Sequence, residues 1–158
     1  MEGRSSHRID RLITVIAIVL LASTTLQTVS AAPSSRAPVF KYQEQKNYCG
    51  IAVMQSFFPQ LSQATIAREL RKGKNDLTYW GDFNYFFKKH GIKYHYTVLN
   101  NEFPAIIMLP ANTFGLAENH FVIVLGKKNR FYSIFDPEVG FYRKPETFLK
   151  GTKALVVE

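Results

Sequence analysis

The stretch that decides the fold is Gln43-Glu44-Gln45-Lys46-Asn47-Tyr48-Cys49-Gly50-Ile51-Ala52-Val53-Met54, where a polar approach changes abruptly into an apolar run. This change predicts a helix that begins at Cys49, the only cysteine among the 158 residues. A thiol in the first turn of a helix faces unpaired backbone N–H groups and the positive end of the helix dipole, which favour the thiolate. The alternative is a small buried core residue, which is the usual role of a free cysteine.

Partners for a nucleophilic cysteine lie near the C-terminus. His120 opens an apolar run, and Asp136 ends a second run of β-branched and aromatic residues. Lys127-Lys128-Asn129 separates the runs, which predicts a hairpin with a three-residue loop. In that register His120 and Asp136 are directly opposed, with Cβ atoms roughly 5 Å apart. A four-residue loop would send the two side chains to opposite faces, so the prediction depends on the register.

These motifs together resemble the bacteriocin-processing, double-glycine leader peptidases. They are papain-like cysteine peptidases, usually found at the N-terminus of peptide-exporting ABC transporters. The family has a glutamine six residues before a Cys-Gly pair, as Gln43 stands before Cys49, and a histidine strand followed by Asp-Pro, as at His120 and Asp136. The similarity covers about residues 40–158. Tyr48 departs from the pattern, because the family often has an acidic residue there, and the 158 residues contain no transporter.

The resemblance implies an α+β, papain-like fold in which N-terminal helices pack on an antiparallel sheet. It also implies a cysteine-type endopeptidase. Cys49 would be the nucleophile, His120 the general base, Asp136 the residue that orients the imidazole, and Gln43 the donor of the oxyanion hole. The expected substrate is a peptide or leader peptide that is cut after a small-residue pair of the Gly-Gly type.

Two other functions are compatible with these residues. One is a non-catalytic peptide-binding module, and the other is a papain-like amidase or transpeptidase that uses the same triad. No cofactor is expected. No metal site is expected either, since the sequence has no His/Cys/Asp cluster at ligand spacing.

The N-terminus has the layout of a secretory signal peptide. Three arginines precede the apolar stretch Leu12 to Ala22, and small residues follow at the predicted cleavage site after Ala31. This predicts a signal peptide over residues 1–31, a Ser/Pro linker over 32–39, and a peptidase domain over 40–158. The location would be extracytoplasmic, periplasmic or secreted. An uncleaved N-terminal membrane anchor is the alternative, although the apolar core is shorter than the roughly 20 residues of a spanning helix.

The chain is basic, with 20 Lys and Arg against 12 Asp and Glu and a net charge of +8. The lysines are dispersed and form no stripe along one element, so no nucleic acid partner is predicted. The resemblance implies a peptide substrate and a peptide-exporting ABC transporter that is encoded separately.

The middle of the chain is predicted to support the site. A helix over 63–71 starts after the N-cap Ser62, and a helix over 80–90 ends at Gly91. The second helix carries a buried aromatic stripe of Phe83, Phe86 and Phe87.

A strand is predicted over 93–99, with His95 on the face opposite its tyrosines. His90 and His95 compete with His120 as the general base. Both are assigned structural roles, because His90 falls in the last turn of a helix, where a cation is favoured, and His95 on a half-exposed strand.

Overall fold

A computed structural model describes residues 37–112 and 116–158. The predicted signal peptide and most of the predicted linker lie outside these ranges. Within them, no helix has the length and apolar character needed to cross a bilayer.

The described residues form four helices and six strands. The helices are α1 (Cys49–Phe57), α2 (Gln63–Glu69), α3 (Trp80–Lys89) and α4 (Glu146–Leu149). The strands are β1 (Tyr94–Val98), β2 (Ala105–Leu109), β3 (His120–Lys128), β4 (Phe131–Asp136), β5 (Gly140–Pro145) and β6 (Lys153–Val157).

All six strands form one antiparallel sheet in the order β1-β6-β2-β3-β4-β5. The first three helices precede every strand in the chain. The predicted α+β fold, with N-terminal helices against an antiparallel sheet, is confirmed. Strand β3 lies inside the sheet, so its residues are held by neighbours on both sides.

The helix ends follow from local signals. The Ser62 hydroxyl caps α2 by accepting a hydrogen bond from the Thr65 N–H at 3.1 Å, as its position predicts. Helix α2 ends two residues before the predicted boundary, since Arg71 has a left-handed φ of 57° that a helix cannot include. Helix α3 ends at Lys89, and Gly91 adopts a φ of 66° just beyond it, in agreement with the predicted stop.

The sheet is buried on both faces. Alternate residues of β3 supply two separate cores: Phe121 and Ile123 pack with the helices, and Val122 and Val124 pack in a second cluster with Leu149 of α4. The predicted aromatic stripe of α3 lies fully buried in the helix-side core. Helix α1 is buried along its whole length, so its first residue is held firmly in place.

Candidate active site

Cys49 is the first residue of α1 and is buried. Its sulfur accepts a hydrogen bond from the Phe121 N–H over 3.5 Å, which ties the start of α1 to the start of β3. The next residue must be small, because a Cβ on Gly50 would lie 2.6 Å from the Thr78 side chain. The Cys-Gly pair therefore lets the first turn of α1 pack directly against Thr78.

His120 and Asp136 form the buried ion pair of the site. His120 Nε2 lies 2.7 Å from Asp136 Oδ1, and the two side chains are only 7% and 6% exposed. Asp136 Oδ1 also accepts from the backbone N–H groups of Glu138 at 2.8 Å and Val139 at 3.4 Å. The two side chains share one face and are hydrogen-bonded, as predicted.

The register that brings them together differs from the predicted one. The hairpin turns through two residues, Asn129 and Arg130, with φ values of 51° and 63°, so Lys128 pairs with Phe131. The three-residue loop was wrong because both turn residues adopt the left-handed conformation of a tight turn.

An irregularity in β3 then brings Asp136 to the same face of the sheet as His120. The ladder shifts by one residue between Val124 and Gly126, and Ile123 pairs with Phe135 beyond the shift. One further step sets Asp136 opposite Val122, so His120 is a diagonal neighbour and not the direct partner that was predicted. Without the bulge, Asp136 would share the face of Ile123 and point away from His120.

The ion pair sets the protonation of the histidine. Burial by itself would lower the pKa of His120, but the hydrogen bonds and charges of Asp136 and Cys49 outweigh it and raise the pKa to about 10. Burial likewise opposes ionisation of Asp136, yet hydrogen bonds from His120 and the Glu138 N–H hold the pKa of this carboxyl below its usual range. Since Nε2 of His120 is bonded to Asp136, Nδ1 is the nitrogen left for Cys49.

Gln43 shares a cavity of about 300 Å³ with Cys49 and His120. Its backbone N–H donates to the carbonyl of Pro137 over 2.9 Å, which fixes it beside the residue after Asp136. Its Oε1 is buried without a hydrogen-bond partner among the described residues. Rotation of the amide by half a turn presents Nε2 at the same place, so this side chain can offer a donor to a group bound in the cavity.

The model of the peptidase C39 family matches residues 38–151. The chain belongs to the peptidase C39 family. This confirms the resemblance found in the sequence, and the protein is a papain-like cysteine peptidase.

Solved structures share the fold. The peptidase domain of Streptococcus ComA, a bi-functional ABC transporter involved in a quorum sensing pathway, is 20% identical with a TM-score of 0.60, and the match covers 74% of this chain and 95% of that one. A double glycine motif protease from an AMS/PCAT transporter, solved in complex with the leader peptide, is 17% identical with a TM-score of 0.59, covering 80% and 95%. The peptidase domain of Streptococcus mutans ComA is 19% identical with a TM-score of 0.56, covering 76% and 98%. No curated protein matches the chain.

The other histidines described in this C39 peptidase lie away from the cavity. His90 Nε2 is 2.9 Å from Glu69, and His95 is 2.9 Å from Glu102 and 3.1 Å from Glu158. These ion pairs agree with the structural roles predicted for both histidines.

Sequence reasoning missed Tyr142 of β5. Its hydroxyl lies 3.4 Å from Asp136 Oδ2, inside the site of the C39 peptidase. Strand β5 was not predicted, although Gly140 after the Asp-Pro turn and the two aromatic residues that follow it are typical of a short strand.

Proposed function

We propose that this C39 peptidase cleaves a leader peptide after a small-residue pair of the Gly-Gly type. The observation that carries the proposal is the buried ion pair of His120 with Asp136, at a cavity that His120 lines together with Cys49. The roles assigned from the sequence fit this geometry: Cys49 as nucleophile, His120 as general acid and base, and Asp136 as the orienting carboxylate.

The chemistry follows from the position of the protons. The raised pKa of His120, about 10, lets the imidazole take and hold the proton of the Cys49 thiol, and the sulfur then attacks the peptide carbonyl. Gln43 and the Cys49 backbone N–H are assigned to stabilise the oxyanion, because both residues line the cavity where the carbonyl would lie. His120 then protonates the leaving amine, and water releases the acyl group from the enzyme.

The double-glycine specificity is supported by the family and by the fold. Among the similar structures is a double glycine motif protease bound to a leader peptide. A scissile bond must enter the cavity that Gln43, Cys49 and His120 line to reach the sulfur, and residues without bulky side chains enter it with least obstruction.

We also propose that residues 1–31 direct the peptidase out of the cytoplasm, with membrane anchoring by the same segment as the alternative. The arginines before a short apolar stretch and the small residues at Ala31 support this location. A separately encoded peptide-exporting ABC transporter would then deliver the substrate. N-terminal sequencing of the protein recovered from its source distinguishes a cut after Ala31 from a retained anchor.

The activity is tested by incubating the chain with a synthetic peptide that carries a Gly-Gly pair, and reading new N-termini by mass spectrometry. We expect one cut after the second glycine. The matched controls are Cys49→Ala and a peptide with Leu-Leu in place of Gly-Gly, and both should abolish the cut. Binding without cleavage would indicate the peptide-binding module, and transfer of the acyl group to an added amine would indicate the transpeptidase.

A further inference from the structure

We propose that Tyr142 is a positioning residue for Asp136, and through it for His120. This inference rests on the proposed function, because it assigns a role within the same triad. Tyr142 comes from β5, the strand that sequence analysis did not predict.

The two carboxylate oxygens of Asp136 are held by different groups. Oδ1 accepts from His120 and from two backbone N–H groups of the following turn. Oδ2 accepts from the Tyr142 hydroxyl at 3.4 Å. The donors to Oδ1 fix one oxygen of the carboxylate. Tyr142 holds the other oxygen, and so restrains a rotation about the Cβ–Cγ bond of Asp136 that would carry Oδ1 away from the imidazole.

The backbone places the Tyr142 hydroxyl there. Tyr142 pairs with Ile134 in the β4–β5 ladder, two residues from Asp136 on the same face. Both Asp136 and Tyr142 line a cavity of about 280 Å³, which adjoins the one that holds Cys49 because Leu116 and Glu138 border both. Tyr142 and Asp136 therefore face the same cavity, next to the one that Cys49 lines.

The hydroxyl is a permanent donor. Burial, together with the charge of Asp136, raises the pKa of Tyr142, so the phenol keeps its proton over the working range of the enzyme. Each hydrogen bond that Asp136 accepts offsets part of its negative charge and weakens its hold on the imidazolium. Removal of the hydroxyl should therefore loosen the geometry and also raise the pKa of His120.

The titration of His120 also depends on the other charged and titratable groups around the site. Besides Asp136 and Tyr142, those that line the two cavities include Cys49, Glu138, Arg143 and Lys144. A Tyr142→Phe change leaves all of them in place and keeps the aromatic ring.

The test is Tyr142→Phe in the full chain. We expect kcat to fall about threefold to tenfold with KM unchanged, as for loss of one hydrogen bond to a charged group at long distance. The basic limb of the pH–kcat profile should move to higher pH. The same shift should be seen in the His120 ring signals by ¹⁵N NMR, assigned by their absence from His120→Gln.

The matched control is Tyr96→Phe. It removes a shorter hydrogen bond, 2.7 Å to Asn84, on β1 at the opposite edge of the sheet. This variant should lose stability without a change in the His120 titration. Tyr142→Phe with wild-type kcat and an unmoved His120 titration would overturn the inference, as would an equal loss of kcat in both variants. The NMR titration needs no substrate, so a wild-type chain that cleaves no Gly-Gly peptide would refute the proposed function alone.

Discussion

His120 and His95 are bonded to carboxylates at nearly the same distance, 2.7 Å and 2.9 Å, in two different environments. The side chain of His95 is 42% exposed, at the β1 edge of the sheet, whereas that of His120 is 7% exposed, inside the cavity with Cys49. Hydrogen bonds that His95 donates to Glu158 and Glu102 raise its pKa, so the direction of the shift is the same as for His120.

The comparison shows that two ion pairs of similar geometry differ in how water reaches them. Water screens the exposed pair, and such pairs contribute little to stability. In the buried pair the carboxylate acts on the imidazole with little screening, and Cys49 lines the same cavity as His120. His120 differs from His95 in its burial and in the nearby Cys49.

The largest test of this difference is removal of each imidazole. We expect His120→Ala to lower kcat by about 1000-fold or more, because the group that carries the proton is lost. His95→Ala should retain most activity, and so should His90→Ala. Rates of peptide cleavage under saturating substrate check this, and comparable losses at His95 and His120 would contradict it.

The proposed oxyanion donor provides the next test, because Gln43 lines the cavity with Cys49 and Gln45 is exposed and does not line it. We expect Gln43→Ala to lower kcat by about 100-fold to 1000-fold, as loss of one preorganised donor does, and Gln45→Ala to have little effect. Single-turnover kinetics with the cleavable peptide measure the chemical step directly. Equal losses would show that the glutamine spacing selected the wrong residue.

The pH dependence of activity gives a third test, because Asp136 and Glu102 are the carboxylates of the buried and the exposed pair. As pH rises through about 10, His120 loses the proton that the leaving amine needs, so activity should fall there. The raised pKa also stabilises the fold. This contribution is complete below the ordinary histidine pKa of 6.5 and is lost as the pH rises from there through about 10.

Asp136→Asn removes the charge that favours the imidazolium. It should move the basic limb of activity down by about one to three pH units, the usual effect of a nearby opposite charge. Glu102→Gln at the exposed pair should leave the limb in place. A pH–kcat profile for each variant decides the point, and an unmoved limb in Asp136→Asn would remove Asp136 from the protonation of His120.

The smallest expected effect concerns packing beside Cys49. Gly50→Ala should lower the free energy of unfolding by about 1–3 kcal/mol, because its Cβ meets Thr78 at 2.6 Å. Gly81→Ala on the exposed face of α3 meets nothing within 4 Å and should be neutral or stabilising by up to about 1 kcal/mol. Urea denaturation of both variants compares them, and equal stabilities would mean that α1 can shift to admit the methyl group.

The parts of the site that sequence analysis placed correctly depend on local signals. The helix that begins at Cys49 follows from the polar-to-apolar change, and the buried stripe of α3 follows from its spacing. The Asp-Pro motif after an apolar strand marked Asp136 in the same way. Catalytic roles for these residues stay predictions until the variants above are measured.

The errors lie where strands meet. The face shared by His120 and Asp136 was predicted from a loop that does not exist, and it is correct because a tight turn and a bulge together shift the register by an even number of residues. Tyr142 was missed since its relation to Asp136 depends on the pairing of β4 with β5. Residues 1–31 lie outside the described ranges, so the signal peptide stays a prediction.

The sequence by itself determined the family, the start of the helix at Cys49 and the strand that opens at His120, because each is marked by neighbouring residues or by a short motif with fixed spacing. Only the tertiary structure decided how His120 meets Asp136, what holds the second carboxylate oxygen and which imidazole is buried. The physical reason is that a strand register shifts with a single bulged residue, and burial depends on packing between segments far apart in the chain. Neither the strand register nor the burial of a side chain is set by a local stretch of sequence.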